Sequence, residues 1–264
     1  MTLERLKLGM ELDGWCVLKN IIPQDRLNDL RNQIITSTNL NRSPEAPENI
    51  GHVSGFLKYD QSLGSFLTDH LVLNLVETLL GPHFRISFTT ATINEPGNAR
   101  GSWHADWPFN QRNAGHIPAP YLDTVIHLTT IWMLSSFDGE NGGTLVVPGS
   151  HRAANNPTGD NGVDPDGPYP TELNVTGDAG SVLIMDSRLW HATAANISKD
   201  PRVAVVVRYA PWWLNLNILK PGSADRRLLV EDTGQKENLV PALPREVYDG
   251  LPDDLKPLVY HWVE

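Results

Sequence analysis

GSVLIMDSRLWHATAANISKDPRVAVVVRYA, residues 180–210, contains two strands and a set of polar residues at their ends. Both apolar runs are rich in Val, Ile and Leu, the composition that suits a pleated, buried surface. His191 follows the first run, so its side chain projects at the end of that strand. Arg202 opens the second run, eleven positions later. On adjacent antiparallel strands that spacing lets both side chains face one pocket.

Similar segments precede this pair. FRISFTTATINEPG, TVIHLTTIWMLSSFD and GTLVVPGS are strand-like and punctuated by Gly, Pro and Asn. Several strands separated by turns point to a sandwich or barrel. Before about residue 83 the periodicity is mostly helical. LERLKLGMELDG reads as a short helix ending at Gly14, and WCVLKNI as a strand. A second helix starts near Pro23, with Leu27, Leu30 and Ile34 at helical spacing, and a third, LTDHLVLNLVETLLG, closes at Gly81. Residues 38–52 read as loop. Residues 153–173 form a long stretch without apolar periodicity, the kind of loop that can close over a site as a lid. PREVYDGLPDDLKPL carries a short C-terminal helix. No repeat or linker divides the chain, so the expectation is one α+β, mainly β domain over residues 1–264.

Composition narrows the function. A net charge of −10 argues against nonspecific binding to nucleic acid or anionic membrane, both of which need a cationic face. Cys16 is the single cysteine, which rules out an intramolecular disulfide and a thiolate-rich zinc site. The N-terminus has scattered charges and no apolar h-region, and no run is long enough to span a bilayer. A cytoplasmic protein acting on a small molecule is expected, as monomer or homodimer.

The chemistry centres on GSWHADWPFN, residues 101–110. On one strand, His104 and Asp106 point to the same face and can share an ion. His191 supplies a third ligand. Two histidines and one carboxylate form the set that leaves open positions on non-haem Fe(II) for a cosubstrate and O₂. If that cosubstrate is 2-oxoglutarate, its keto group and adjacent carboxylate chelate iron and its far carboxylate needs a cation. Arg202 offers a bidentate fork, and Thr193 can add a hydroxyl. Arg208, six positions along the same strand, is a second candidate for that carboxylate.

WHAD, ENGGTLVVPGSHR, DSRLWHATAANIS and PRVAVVVRY, in this order and spacing, resemble the phytanoyl-CoA dioxygenase family of Fe(II)/2-oxoglutarate oxygenases. ELDGWCVLKNIIPQDRLNDLR is similar to the family's N-terminal strand and helix, so the resemblance covers roughly residues 10–210. It implies a double-stranded β-helix, a jelly-roll barrel over about residues 83–212 with helices packed outside. It also implies iron on His104, Asp106 and His191, and 2-oxoglutarate on Arg202 and Thr193. Trp132 matches an aromatic that lines the cosubstrate pocket in some members. The implied reaction oxidises a C–H bond of a small metabolite, most simply by hydroxylation in a biosynthetic pathway, with release of succinate and CO₂. No catalytic residue beyond the metal ligands is implied.

Three features depart from or refine the family pattern. Ala105 stands where many members carry Gln, which removes one polar contact and leaves the ligands intact. No CoA-binding surface is evident, which favours a small free metabolite. Asp106 favours oxidation over halogenation, because related halogenases replace this carboxylate with a small residue.

Trp103, Trp107 and Trp213 are the candidate substrate contacts, since aromatics near the iron suit a flat, apolar or cationic molecule. His116 and His127 read as structural or exposed, and His151 as a turn residue. Asn141-Gly142-Gly143 reads as a tight turn needing positive φ. Two other functions fit parts of the pattern: a cupin-like metalloenzyme without 2-oxoglutarate, and a non-catalytic jelly-roll binding protein. Neither needs the arginine.

Overall fold

A computed structural model describes residues 2–43, 49–158 and 162–264. Its strands are β1 (Trp15–Leu18), β2 (Ile50–Ser54), β3 (Arg85–Asn94), β4 (Leu128–Met133), β5 (Thr144–Val146), β6 (Leu173–Val175), β7 (Val182–Asp186), β8 (His191–Thr193) and β9 (Arg202–Ala210). They form two antiparallel sheets. The larger has six strands in the order β1-β7-β4-β9-β3-β2, and the smaller has three in the order β6-β5-β8.

Alternation along the central strands divides them between two layers. On β9, Val203, Val205, Val207 and Tyr209 enter the main apolar core, whereas Arg202, Val206 and Arg208 line a cavity between the sheets. On β4, Leu128 and Trp132 take the core side, and Thr129 and Ile131 take the cavity side. Helices α1 (Leu3–Leu12), α2 (Gln24–Asn41) and α3 (His70–Leu80) cover the core side through Leu6, Met10, Leu27, Leu30, Ile34, Val72, Leu75 and Val76. Both faces of β4 and β7 are therefore buried, which explains their nearly continuous apolar composition. Asp69 caps α3, accepting from the Leu71 and Val72 amides at 2.9 and 3.2 Å. Trp262 returns to this core and donates its indole N–H to Ile86 O at 2.8 Å.

Three expectations need correction. β1, expected as a strand from WCVLKNI, and β2, which was not expected, supply both edges of the large sheet, so that sheet extends beyond the 83–212 range given for the barrel core. Residues 50–52, read as loop, open β2; Gly51 and His52 hide its short pattern, and pairing to Thr90–Asn94 of β3 creates the strand. The sheets do not close into a hydrogen-bonded barrel. β5, β6 and β8 have only three residues each, and His104 extends the small sheet through a single antiparallel bridge to His191.

The segment 153–173 does not cover the cavity in its described part. Trp103 N donates to Pro165 O and Trp103 Nε1 to Gly167 O, and Tyr169 meets Trp190 edge-to-face. These contacts hold it on the outer face of the small sheet, and none of its described residues lines the cavity. Residues 159–161 lie outside the described residues. Among the described residues no helix is long and apolar enough to cross a membrane.

Candidate active site

The site is assembled by backbone pairing. His104 and His191 exchange N–H···O bonds at 3.0 Å in both directions, which sets their side chains opposite each other. Their rings lie 4.2 Å apart. Two residues on, the Asp106 amide donates to Ser187 O at 2.8 Å. The turn after β7 is held in turn by the Asp186–Arg188 ion pair (2.8 Å) and by Leu189 N to Asp186 O (2.9 Å).

His104, Asp106 and His191 each offer one ligand atom, and the three atoms lie within 4.8 Å of one another. His191 Nε2 is 3.7 Å from Asp106 Oδ2. Each histidine donates Nδ1–H to a backbone carbonyl, His104 to Ser102 O and His191 to Leu189 O, both at 2.9 Å. A carbonyl only accepts, so each Nε2 keeps its lone pair for the shared centre. This is the outer support that metal-ligating histidines use. Burial, with His104 beside it, pulls the His191 pKa down to about 4, so the ring is neutral at pH 7. Burial alone would raise the pKa of Asp106, but Arg208, then His191, His104 and a hydrogen bond from Thr129 hold it well below the usual range. Two imidazoles, each with its Nε2 turned to the shared centre, and an ionised carboxylate, converging in this way, fit a divalent transition metal.

The triad opens into a cavity of about 240 Å³. Arg202 lies at one end, 5% exposed, with its guanidinium 5.1 Å over the Phe137 ring. Nε donates to Gly142 O at 2.8 Å and Nη1 to Thr92 Oγ1 at 3.1 Å. Among the described residues no carboxylate pairs with it, although burial lowers its pKa only to about 10 and leaves it charged. A buried cation with no counter-charge is costly, and an incoming carboxylate relieves that cost. Thr92, Thr144 and Thr193 line the same cavity. Their hydroxyls and the free part of the Arg202 fork suit the far carboxylate of a dicarboxylate such as 2-oxoglutarate.

The structure thus brings His104, Asp106, His191, Arg202 and Thr193 to one cavity, and it separates the four tryptophans from it. Trp132 is fully buried on the opposite face of β4, with its indole N–H on Thr130 Oγ1 at 3.0 Å; strand alternation points it into the helix-side core. Trp103 packs outside the small sheet beneath Arg100. Trp107 belongs to the main core, edge-on to His127. Trp213 lies at the surface, 53% exposed. None of the four lines the cavity.

Other contributors have weak sequence signals. Thr129 donates to Asp106 Oδ2 at 2.6 Å and contacts Ser187 Oγ at 2.9 Å. His127 is fully buried, its Nδ1 2.7 Å from Ser187 Oγ and its Nε2 2.9 Å from Ser87 Oγ. Burial, then Arg208, lowers its pKa to about 3. Arg208 does not sit with Arg202; its Nη2 donates to Asp106 Oδ1. Even spacing from Arg202 was the one available signal for its side of the strand.

Residues 10–204 match the family model described as Phytanoyl-CoA dioxygenase (PhyH). The dioxygenase af480 of Aspergillus fumigatus is 33% identical over 156 residues, 57% of this chain and 46% of that protein, so the match spans less than half of the fungal relative. An uncharacterized protein of Mycobacterium tuberculosis is 25% identical over 220 residues, 77% of this chain and 74% of its own length. The fold is shared with the epimerase SnoN, solved with Fe3+, alpha ketoglutarate and nogalamycin RO (TM-score 0.64, 19% identity, 79% of this chain and 83% of that one). It is also shared with HygX from Streptomyces hygroscopicus, solved with nickel, 2-oxoglutarate and hygromycin B (TM-score 0.62, 15% identity, 81% and 89%). With the family model matched from the N-terminal helix through most of the ligand-bearing sheet, the chain belongs to the phytanoyl-CoA dioxygenase (PhyH) family.

Proposed function

We propose that the protein is a non-haem Fe(II)/2-oxoglutarate-dependent dioxygenase that oxidises a C–H bond of a small metabolite, most simply by hydroxylation, and releases succinate and CO₂. One observation carries this reading: three metal-ligand atoms within 4.8 Å of one another share a cavity with a buried arginine that has no ion-pair partner among the described residues. Bound iron, with O₂ and 2-oxoglutarate, supplies the oxidising power: two electrons come from the cosubstrate as it becomes succinate and CO₂, and two from the substrate.

The chain's own residues bind and orient. His104, Asp106 and His191 would hold the metal through the three ligand atoms that converge at the cavity. Arg202 takes the C5 carboxylate of 2-oxoglutarate as a bidentate partner, with Thr193 beside it. The apolar wall of Ile131, Met185 and Val206 excludes water from the reacting centre. In this reading the six- and three-stranded sheets are the two halves of a double-stranded β-helix, with the metal at its mouth. The lone buried Cys16 fits a cytoplasmic setting.

Oxygen-dependent conversion of 2-oxoglutarate to succinate tests the proposal. Wild-type protein with Fe(II) should show slow turnover even without the metabolite. His191→Ala and Asp106→Asn should abolish it. Turnover that is absent in wild type, or unchanged in both variants, would favour a cupin-like metal enzyme or a binding protein.

A further inference from the structure

The cavity contains a second guanidinium whose charge the proposed cofactors leave unmatched. Arg208 lies six residues from Arg202 on the same face of β9, about 20 Å along the strand at the usual rise. Its Nη2 reaches Asp106 Oδ1, and its plane lies 5.1 Å over Phe88. Its Nε is buried without a hydrogen-bond partner. Thr90 Oγ1 is in the same condition, on a residue only 2% exposed. Both residues line the metal cavity, and the pairings Phe88↔Arg208 and Thr90↔Val206 place them on neighbouring strands. His52 of β2 and Asn238 of the C-terminal segment line the same cavity. Burial, then Arg208, lowers the His52 pKa, so the ring adds no second positive charge at neutral pH.

The charge balance decides what this end of the cavity lacks. Among the described residues Asp106 is the only carboxylate lining the cavity. The C5 carboxylate of 2-oxoglutarate cancels Arg202, and its C1 carboxylate together with Asp106 cancels Fe(II). Arg208 is left as one excess positive charge in a partly buried site, with an idle N–H and an idle hydroxyl beside it. Such a cation is costly unless an anion arrives.

We propose that Arg208 and Thr90 form a substrate subsite for a single carboxylate, so that the compound oxidised is a small carboxylic acid. The proposal rests on the iron and 2-oxoglutarate reading above. The Arg208 fork takes the carboxylate, and Thr90 Oγ1 donates the additional hydrogen bond. Because Arg208 also touches the metal ligand Asp106, the carbon oxidised lies only a few bonds from that carboxylate.

Anaerobic protein loaded with Fe(II) and 2-oxoglutarate provides the test. The visible band of the iron chelate is recorded first. Matched carboxylates and primary amides, such as benzoate and benzamide or butyrate and butyramide, are then titrated in, and the shift of the band gives their affinities. At least one carboxylate should bind about tenfold or more tightly than its amide. Arg208→Gln should erase that preference while keeping the chelate band, and Arg208→Lys should retain part of it. If Arg208→Gln fails to fold, Thr90→Val should still reduce carboxylate affinity several-fold and leave the amide unchanged. Equal binding of carboxylates and amides overturns the proposal, as does a preference that survives in the variants. Loss of the chelate band in Arg208→Gln assigns this arginine to support of the metal ligand Asp106 or to the cosubstrate, and either result overturns the proposal. A wild-type protein that never forms the band fails at the earlier step, the iron and 2-oxoglutarate reading itself.

Discussion

Thr129 Oγ1 donates to Asp106 Oδ2 across 2.6 Å, and that bond ends a buried chain running back through Ser187, His127 and Ser87. Ionised Asp106 can only accept, so the Thr129 proton is committed to it. Every link then has a proton only if Ser187 donates to Thr129, His127 Nδ1–H to Ser187, and Ser87 to His127 Nε2. Four residues on three segments thus aim one carboxylate. Thr129→Val should weaken Fe(II) or Co(II) affinity about 10–100-fold, the usual cost of losing a partner behind a metal ligand. Metal titration of the folded apoprotein checks this; unchanged affinity would show that Asp106 needs no such support.

The far end of the chain is structural. Ser87→Ala leaves His127 Nε2 buried with no donor, which should cost about 1–3 kcal/mol of stability. Urea denaturation measures it. Metal affinity should change far less than in Thr129→Val, and an equal loss in both variants would mean that the chain acts as one unit.

Acid should destabilise the metal-free protein. His127 and His191 have folded-state pKa values of about 3 and about 4, below the unfolded value of about 6.5. Between those limits the unfolded chain binds protons that the folded chain refuses, so stability falls as the pH drops below about 6.5. The slope approaches about 1.4 kcal/mol per pH unit for each such histidine. Asp106, held low, adds to the loss at still lower pH. Urea midpoints at pH 7.5, 6 and 5 should decrease in that order; a flat series would contradict the buried neutral histidines.

Gly142 positions Arg202, the proposed partner of the cosubstrate. Its carbonyl accepts from Arg202 Nε at 2.8 Å and from Asn94 Nδ2 at 3.1 Å. It adopts φ +77°, and an added Cβ would lie 1.8 Å from Asn94 Nδ2. Gly142→Ala should therefore cost about 1–3 kcal/mol and raise the 2-oxoglutarate KM. Normal stability and KM would show that the turn tolerates a side chain.

Arg202→Ala removes the proposed partner of the far carboxylate. The 2-oxoglutarate KM should rise about 30-fold or more, equivalent to about 2 kcal/mol. Arg202→Lys should recover only part of this, since an ammonium lacks the fork. A KM unchanged in the alanine variant would return Arg202 to a purely structural role.

How much of the site could be read from the sequence depended on whether strand periodicity was enough. His191 and Arg202 were accessible because strand ends put them toward one pocket; His104 and Asp106 were picked out by their spacing, although the expected strand beneath them is only a single bridge at His104. Strand alternation, applied to TTIWML, places Trp132 with Thr130 on the face away from Thr129, which is where the structure has it. The family resemblance had suggested the cavity instead. The tryptophans flanking the ligands fill cores, because large aromatics near a strand end gain more from burial than from lining a polar cavity. The hydrogen-bond chain was not legible: His127 sits in an apolar run, and its partners Ser87 and Ser187 are 40 and 60 residues away. β2 was concealed by its dependence on β3 for pairing.

The most direct test of the central claim is an anaerobic titration of the apoprotein with Fe(II) and then 2-oxoglutarate. The expected result is a weak visible charge-transfer band that appears only when both are present, is lost in His191→Ala, and needs much more 2-oxoglutarate in Arg202→Ala. Iron that binds at the triad with no band at any 2-oxoglutarate concentration would contradict the cosubstrate assignment.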